Sequence, residues 1–306
     1  MPKSGLIADL VAEGGLKEKV MNPRGKVSRP LIALAATTAA FLYALPAAPL
    51  GAAEADSLTL SYGIYVSGAR IYKINYSASI TPDGYTTAVS MGPKGLGALF
   101  ADFKLEMTST GTLSDGKPQP VDFAMESTKK DEHKKVSLNW SFKDLPKAKR
   151  SFRVPQARLS SLVQVLQPQM LDPLTSILHH SLATDRPCSR TLRSYNGAEV
   201  YDLKLTFLGE EVIEKSKNGV YSGPAYKCKV VFVPIAGYSE TKMRKHLANP
   251  PTYVVWLARI MSPTTSTSFL VPVQAVGKAK GRNFKILALD AEMSGQPLAA
   301  LSSPND

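Results

Sequence analysis

Cysteine is scarce in this 306-residue chain: there are two, Cys188 and Cys228. No Cys-x-x-Cys occurs, which argues against a dithiol redox motif and against the usual cysteine-based zinc patterns. Histidine is nearly as rare, with His133, His179, His180 and His246 making up the whole set. His179 and His180 lie too close to Cys188 for a usual zinc spacing. On a helix, adjacent residues point about 100° apart, so these two cannot both serve one ligand well. No Gly-x-Ser-x-Gly is present, so the strand-to-helix elbow of a serine hydrolase is missing. No glycine loop of phosphate-cradling form occurs either, and no cofactor or metal is expected. Carboxylates are scattered. Glu210-Glu211 is a neighbouring pair, but adjacent strand residues face opposite sides, and the pair reads as a surface turn. No catalytic set is legible, and the chain is expected not to be an enzyme.

A long hydrophobic run is also missing. The longest helix-forming apolar stretch, Leu31 to Leu45, is short of the roughly 20 residues that span a bilayer. It follows Arg24, Lys26 and Arg29, and it precedes Pro46, Pro49 and the small residues Gly51, Ala52 and Ala53. Basic, apolar and small segments in that order read as a cleaved secretory signal, with an uncleaved anchor as the alternative. Cleavage is expected after Ala53 or Ala55. No Arg-Arg pair precedes the apolar run, so a Sec-type route to the periplasm is expected rather than a twin-arginine one. Met21 is an alternative start, and residues 1–53 are set aside as N-terminal extension and signal peptide.

Residues 54–306 hold 31 basic and 22 acidic side chains, a net charge of +9. Outside the cytoplasm such a surface points to anionic lipid, lipopolysaccharide or acidic cell-wall glycan rather than nucleic acid, with solubility alone as the plainer reading. The densest cluster, Lys129, Lys130, Lys134 and Lys135, is interrupted by acids and reads as a solvated turn. An even cysteine count in an exported chain argues for one disulfide between Cys188 and Cys228.

From Leu58 onward the apolar period is mainly two, with strands expected across most of the chain. Thr81-Pro82-Asp83-Gly84, Ser114-Asp115-Gly116-Lys117 and Lys217-Asn218-Gly219 are turn signals. Asn196-Gly197 predicts a type I′ hairpin between Thr191–Tyr195 and Glu199–Gly209, followed by a separate strand from Glu211 to Ser216. Gly92 to Ala101 reads as one or two helical turns. Leu159 to Leu182 differs from the rest. Leucine and isoleucine recur there at helical spacing, Pro168 divides two helical pieces, and Asp172-Pro173 reads as N-cap and first turn of the second. Leu174 and Ile177 are expected in its buried face. Pro272 marks an edge or a bulge. Tyr62, Tyr65, Tyr72, Tyr76 and Tyr85 crowd the first hairpins, where core packing explains them better than a ligand-lined concave face.

The expected architecture is all-β dominant: a highly curved antiparallel sheet, open barrel or β-spiral, wrapped around a short central helical segment. It occupies one domain, residues 54–294, with a mobile tail from Gly295 to Asp306.

Several blocks resemble the domain-of-unknown-function 3108 family. They are Asp172-Pro173-Leu174-Thr175, Pro187-Cys188, the run from Asn196 to Leu203, Ser222 to Val230, and Pro234 to Tyr238. Gly95-Leu96, Thr110-Gly111 and Pro120 to Phe123 fit its first half. The resemblance implies an exported bacterial protein with a curved β-sheet, similar in layout to periplasmic β-spiral envelope proteins. The function expected from these features is non-enzymatic binding or scaffolding in the cell envelope, with envelope proteins among the partners. The rival is a cell-wall polymer hydrolase or transferase whose site is assembled from distant residues.

Overall fold

In a computed structural model, the chain is described at residues 55–95, 102–141, 144–215, 219–279 and 281–298. The expected signal segment lies outside those residues, as do most of the turn read at Lys217-Asn218 and the later part of Gly92 to Ala101.

Seven strands run in sequence as a meander: β1 (Asp56–Val66), β2 (Ala69–Ile80), β3 (Gly84–Pro93), β4 (Phe103–Ser114), β5 (Lys117–Lys129), β6 (Glu132–Asn139) and β7 (Lys147–Arg150). Helices α1 (Gln156–Val163) and α2 (Pro173–Leu182) follow. The chain then forms β8 (Arg190–Tyr195), β9 (Val200–Ile213) and β10 (Gly223–Ala236), helix α3 (Glu240–Ala248), and β11 (Thr252–Met261), β12 (Ser268–Ala279), β13 (Arg282–Met293) and the short β14 (Gln296–Pro297). All ladders are antiparallel and form one sheet, ordered β7-β6-β5-β4-β3-β2-β1-β13-β12-β11-β10-β9-β8, with β14 attached to β13. Pairing of β1 with β13 joins the two halves of the meander. β7 and β8 remain as free ends, so the sheet is curled and open.

The helices explain the curl. Leu174 of α2 and Leu162 of α1 share one apolar cluster with Leu105, Phe123 and Leu138 from β4–β6 and with Tyr195, Val200 and Ala236 from β8–β10. The two ends of the sheet therefore fold toward each other over the helices. Asp172 caps α2, its Oδ1 accepting from the N–H of Leu174 at 2.8 Å and of Thr175 at 3.0 Å. Leu174 and Leu178 are fully buried, but Ile177 is 41 % exposed. The expectation that Ile177 belongs to the core is wrong, because the residue falls on the one stripe of α2 that the sheet leaves uncovered.

At the gap, side chains replace a backbone ladder. Arg150 at the end of β7 donates through Nε to the Gly197 carbonyl and through Nη2 to Tyr195 Oη at 2.8 Å. A Cβ at Gly197 would sit 2.2 Å from Val136 Cγ1, and its φ is +90°, so glycine is required there. The connection is not a type I′ turn. Asn196 keeps negative φ, and its Oδ1 accepts from the N–H groups of Ala198 and Glu199. The side chain takes the role the backbone had been expected to fill. Two-residue primed hairpins occur instead at Ser67-Gly68, Asp115-Gly116 and Ser294-Gly295, where both central residues have positive φ.

Glu210 and Glu211 are strand residues, not a surface turn. β9 runs unbroken past Gly209 because one bulge, at Leu208, absorbs the glycine. Pro272 flanks a bulge at Val273 in its own strand, where Trp256 and Leu257 pair with Gln274 and Pro272, and it lends its carbonyl to Tyr62 Oη at 2.8 Å. The chain does not become a free tail at Gly295. Gln296-Pro297 pair with β13, and Leu298 is buried at 1 % exposure. Lys134, read as part of a solvated turn, is buried beside Glu132 at 2.6 Å, although Lys135 is exposed. β7 and α3 had no expected counterpart.

Candidate functional site

The interior holds the most concentrated polar chemistry. Asp172 is fully buried, and its Oδ2 accepts from Ser109 Oγ at 2.9 Å and from Thr175 Oγ1. Tyr85 Oη lies 2.6 Å from Thr175 Oγ1. Burial raises the Asp172 carboxyl above its ordinary range, against the opposing pull of these hydrogen bonds. A carboxylate among three hydroxyls superficially resembles a catalytic set. Every member is sealed from water, and the bonds tie α2 to β3 and β4, so the cluster acts as a structural pin. Tyr72, Tyr76 and Tyr85 are buried in the same interior, as core packing requires.

His180 lies on α2 one turn after Ser176, whose Oγ meets Ser194 Oγ of β8 at 2.7 Å. It is 8 % exposed, and neither ring nitrogen has a hydrogen-bond partner among the described residues. Burial, with Arg190 and His179 nearby, pushes its pKa down to about 4. The folded protein therefore holds His180 neutral, whereas the unfolded chain protonates it near its ordinary 6.5. Stability from this residue is present above pH 6.5 and is lost as pH falls toward 4. Between pH 7.5 and 4.5 the wild type should lose roughly 2–3 kcal/mol more than His180→Leu. Urea midpoints at the two pH values check this, and equal losses in both proteins would refute it.

The surface offers a different environment where α2 ends. The Asp115-Gly116 turn places Lys117 at the start of β5, and the last turn of α2 brings His179 and Leu182 opposite it. The loop 183–189 closes the third side. Arg190 organises that loop: Nη2 donates to the Ala183 carbonyl at 3.0 Å and to Asp185 Oδ1 at 3.1 Å, and Nε donates to the Arg186 carbonyl at 3.0 Å. Arg259 Nη2 donates to the Thr184 carbonyl at 2.8 Å. The Cys188–Cys228 disulfide fastens the same loop to β10, with Leu257 and Leu270 packed around it. A cleft of about 450 Å³ results, lined by Lys117, His179, Asp185, Arg186 and Arg190 among others. A second, of about 270 Å³, adjoins it between the segment 167–171 and β8, and shares His179 and Arg190.

Together they make a groove with a cationic end. Asp185 is the one carboxylate lining it, and it is already engaged by Arg190 and Arg186. Arg193 is neutralised by a two-pronged pair with Asp202 at 2.7 and 2.8 Å. Lys117 and the half-buried His179 carry no such partner among the described residues. Partial burial, then the charges of Arg190 and Lys117, lower the His179 pKa. The arrangement suits an anion.

The other sequence candidates lie apart from it. His133 meets Thr128 on the β5–β6 hairpin, and His246 packs against Phe232 and Tyr238 beneath α3. Glu211 pairs with Lys227 at 2.7 Å and accepts from Trp256 Nε1 at 3.3 Å. Among the described residues no three of His, Cys, Asp and Glu come together as a metal set. Lys117, Arg186 and Arg190 had not been singled out from the sequence, although two of them flank the loop cysteine.

A family model described as a protein of unknown function, DUF3108, matches residues 58–271. The chain belongs to that family. The DUF3108 match takes in both cysteines, the three helices among the described residues and every residue that lines the groove. No curated protein sequence matches the chain. Among solved structures it is similar to the beta-barrel-like protein of domain DUF1849 from Brucella abortus, at 8 % identity and a TM-score of 0.41. That likeness covers 78 % of this chain and 97 % of the other. A candidate lipoprotein from Parabacteroides distasonis is similar at 9 % identity and a TM-score of 0.25, over 77 % and 95 % of the two chains.

Proposed function

We propose that this DUF3108 protein is exported to the periplasm and acts there without catalysis, binding or scaffolding anionic components of the cell envelope. The observation that carries the reading is the groove beside α2, whose cations outnumber its single engaged carboxylate. The disulfide supports export, since such bonds persist in oxidising compartments. The net charge of +9 on residues 54–306 adds a longer-range attraction toward anionic lipid, lipopolysaccharide or acidic glycan. The polar cluster around Asp172 is committed to holding α2, which leaves the exposed relief as the place for a partner.

Exposed charges are screened within about 8–10 Å at physiological salt. Association with phosphatidylglycerol vesicles should therefore weaken at least severalfold between low and physiological ionic strength, with phosphatidylcholine vesicles unbound throughout. Co-sedimentation measures this. Absence of association with anionic vesicles and with lipopolysaccharide at every salt concentration would refute the envelope-binding reading. Tight, salt-insensitive association would replace charge with an apolar pocket as its basis.

A further inference from the structure

The open sheet has free edges at β7 and β8, and each lies beside a cleft; the cleft at β7 carries Glu106 and Glu126, whereas the one at β8 has no carboxylate of its own. On β9 the edge beyond Leu205 is unpaired by β8, but the bulge at Leu208–Gly209 distorts it. Bulges of this kind protect edges from pairing. On β8 the edge is regular. Its outer side already accepts one extended segment: Leu171 forms a parallel bridge to Ser194, and the Tyr195 N–H donates to the Leu171 carbonyl at 2.9 Å.

Strand geometry identifies which groups come next. The N–H and C=O of one residue point to the same side, and sides alternate along a strand. Because Tyr195 points outward, Arg193 and Thr191 do too. The Arg193 carbonyl belongs to the parallel bridge with Leu171, which leaves the Arg193 N–H and both main-chain groups of Thr191 without a backbone partner on that side among the described residues. They open into the slot formed by Arg190 to Arg193 and the segment 167–171. At its far end this slot runs into the cations Lys117, Arg186 and Arg190 around His179.

We propose that this groove takes an extended acidic peptide segment of an envelope protein, added as a strand to the outer edge of β8. Thr191 and Arg193 supply main-chain pairing, and Lys117, Arg186, Arg190 and His179 receive its carboxylates. Two features favour a peptide over a glycan at this place. Unpaired strand groups at regular spacing match another main chain. No aromatic ring lines either cleft to stack against a sugar. The inference rests on the binding reading above and names the partner of that site.

The test uses the full mature protein and a labelled peptide alternating glutamate and valine, read by fluorescence anisotropy. Three probes are compared: that peptide, a version N-methylated at alternate residues, and a lysine–valine version. The parent should bind, N-methylation should weaken it at least tenfold, and the lysine version should not bind. Lys117→Ala, on an exposed turn, should weaken the parent severalfold with the urea midpoint unchanged. Thr191→Pro removes one outward donor that the β9 ladder does not use, and should mimic N-methylation. Equal binding of parent and N-methylated peptides overturns strand addition, as does indifference to Lys117→Ala. If the peptide fails to bind but phosphatidylglycerol vesicles do, the peptide inference falls and the envelope-binding reading stands. If neither binds, both fall.

Discussion

Replacing Leu174 with aspartate should abolish the cooperative unfolding transition of this protein, or shift its urea midpoint by most of its value. Leu174 is 0 % exposed and lies where α2 meets both ends of the sheet. Full burial of a leucine is worth roughly 1.5–3 kcal/mol. An unpaired carboxylate at that place adds a desolvation penalty of several kcal/mol. It would also stand two residues from the buried Asp172, compounding the repulsion. Against a total stability of about 5–15 kcal/mol, the sum is close to the whole margin. Ile177→Asp provides the contrast. At 41 % exposure it should cost roughly 1–2 kcal/mol, far less than Leu174→Asp. An unchanged midpoint for Leu174→Asp would mean that α2 is not the centre of the fold.

Removing the disulfide should have the next largest effect. Cys188 and Cys228 are 40 residues apart in sequence. Closing a loop of that length stabilises the folded state by roughly 4 kcal/mol in the chain-entropy model. The double replacement Cys188→Ala with Cys228→Ala should lower the melting temperature by roughly 8–16 °C and raise protease sensitivity in the loop 183–189. That loop carries Asp185, Arg186 and the attachment points of Arg190, so the groove should loosen together with it. Thermal melts and non-reducing peptide maps check both parts. Recovery of two free thiols from oxidised material would contradict the bond itself.

Several local features were legible because neighbours along the chain decide them. Asp172-Pro173 starts a helix for reasons confined to its first turn, and the structure shows that cap. The period-two pattern and the Ser114–Lys117 signal placed β4 and β5 correctly. Errors arose where a side chain or a distant strand made the decision. Asn196 took over a hydrogen-bonding role that the backbone had been assigned. Gly209 looked like the end of a strand, but β10 pairs across it and one bulged residue absorbs the irregularity. Helix α3 is largely polar, and its one buried residue, His246, offers no apolar stripe to read. Ile177 has the right spacing for the core and misses it, because spacing says which residues share a face and not which face is covered.

The candidate groove was the least legible part. Its lining comes from the start of β5, the segment before α2, the end of α2, the loop 183–189 and β8. His179 was visible as a histidine, but Lys117 and Arg190 are unremarkable charges until the fold sets them around it. The one local hint was the set of basic residues flanking Cys188.

By itself the amino-acid sequence determined the strand-rich class, the helical break at 159–182, the cap at Asp172 and the pair of cysteines available for bonding. These rest on hydrophobic period, turn chemistry and composition, which act over a few residues. Only the tertiary structure decided that β1 joins β13 and that Arg150 spans the gap left between the two ends of the curl. It also decided that the outer edge of β8 stays open beside a cluster of cations. Those outcomes depend on which surfaces meet after the chain has turned back on itself, and contacts between residues far apart in the chain leave no periodic trace in a sequence.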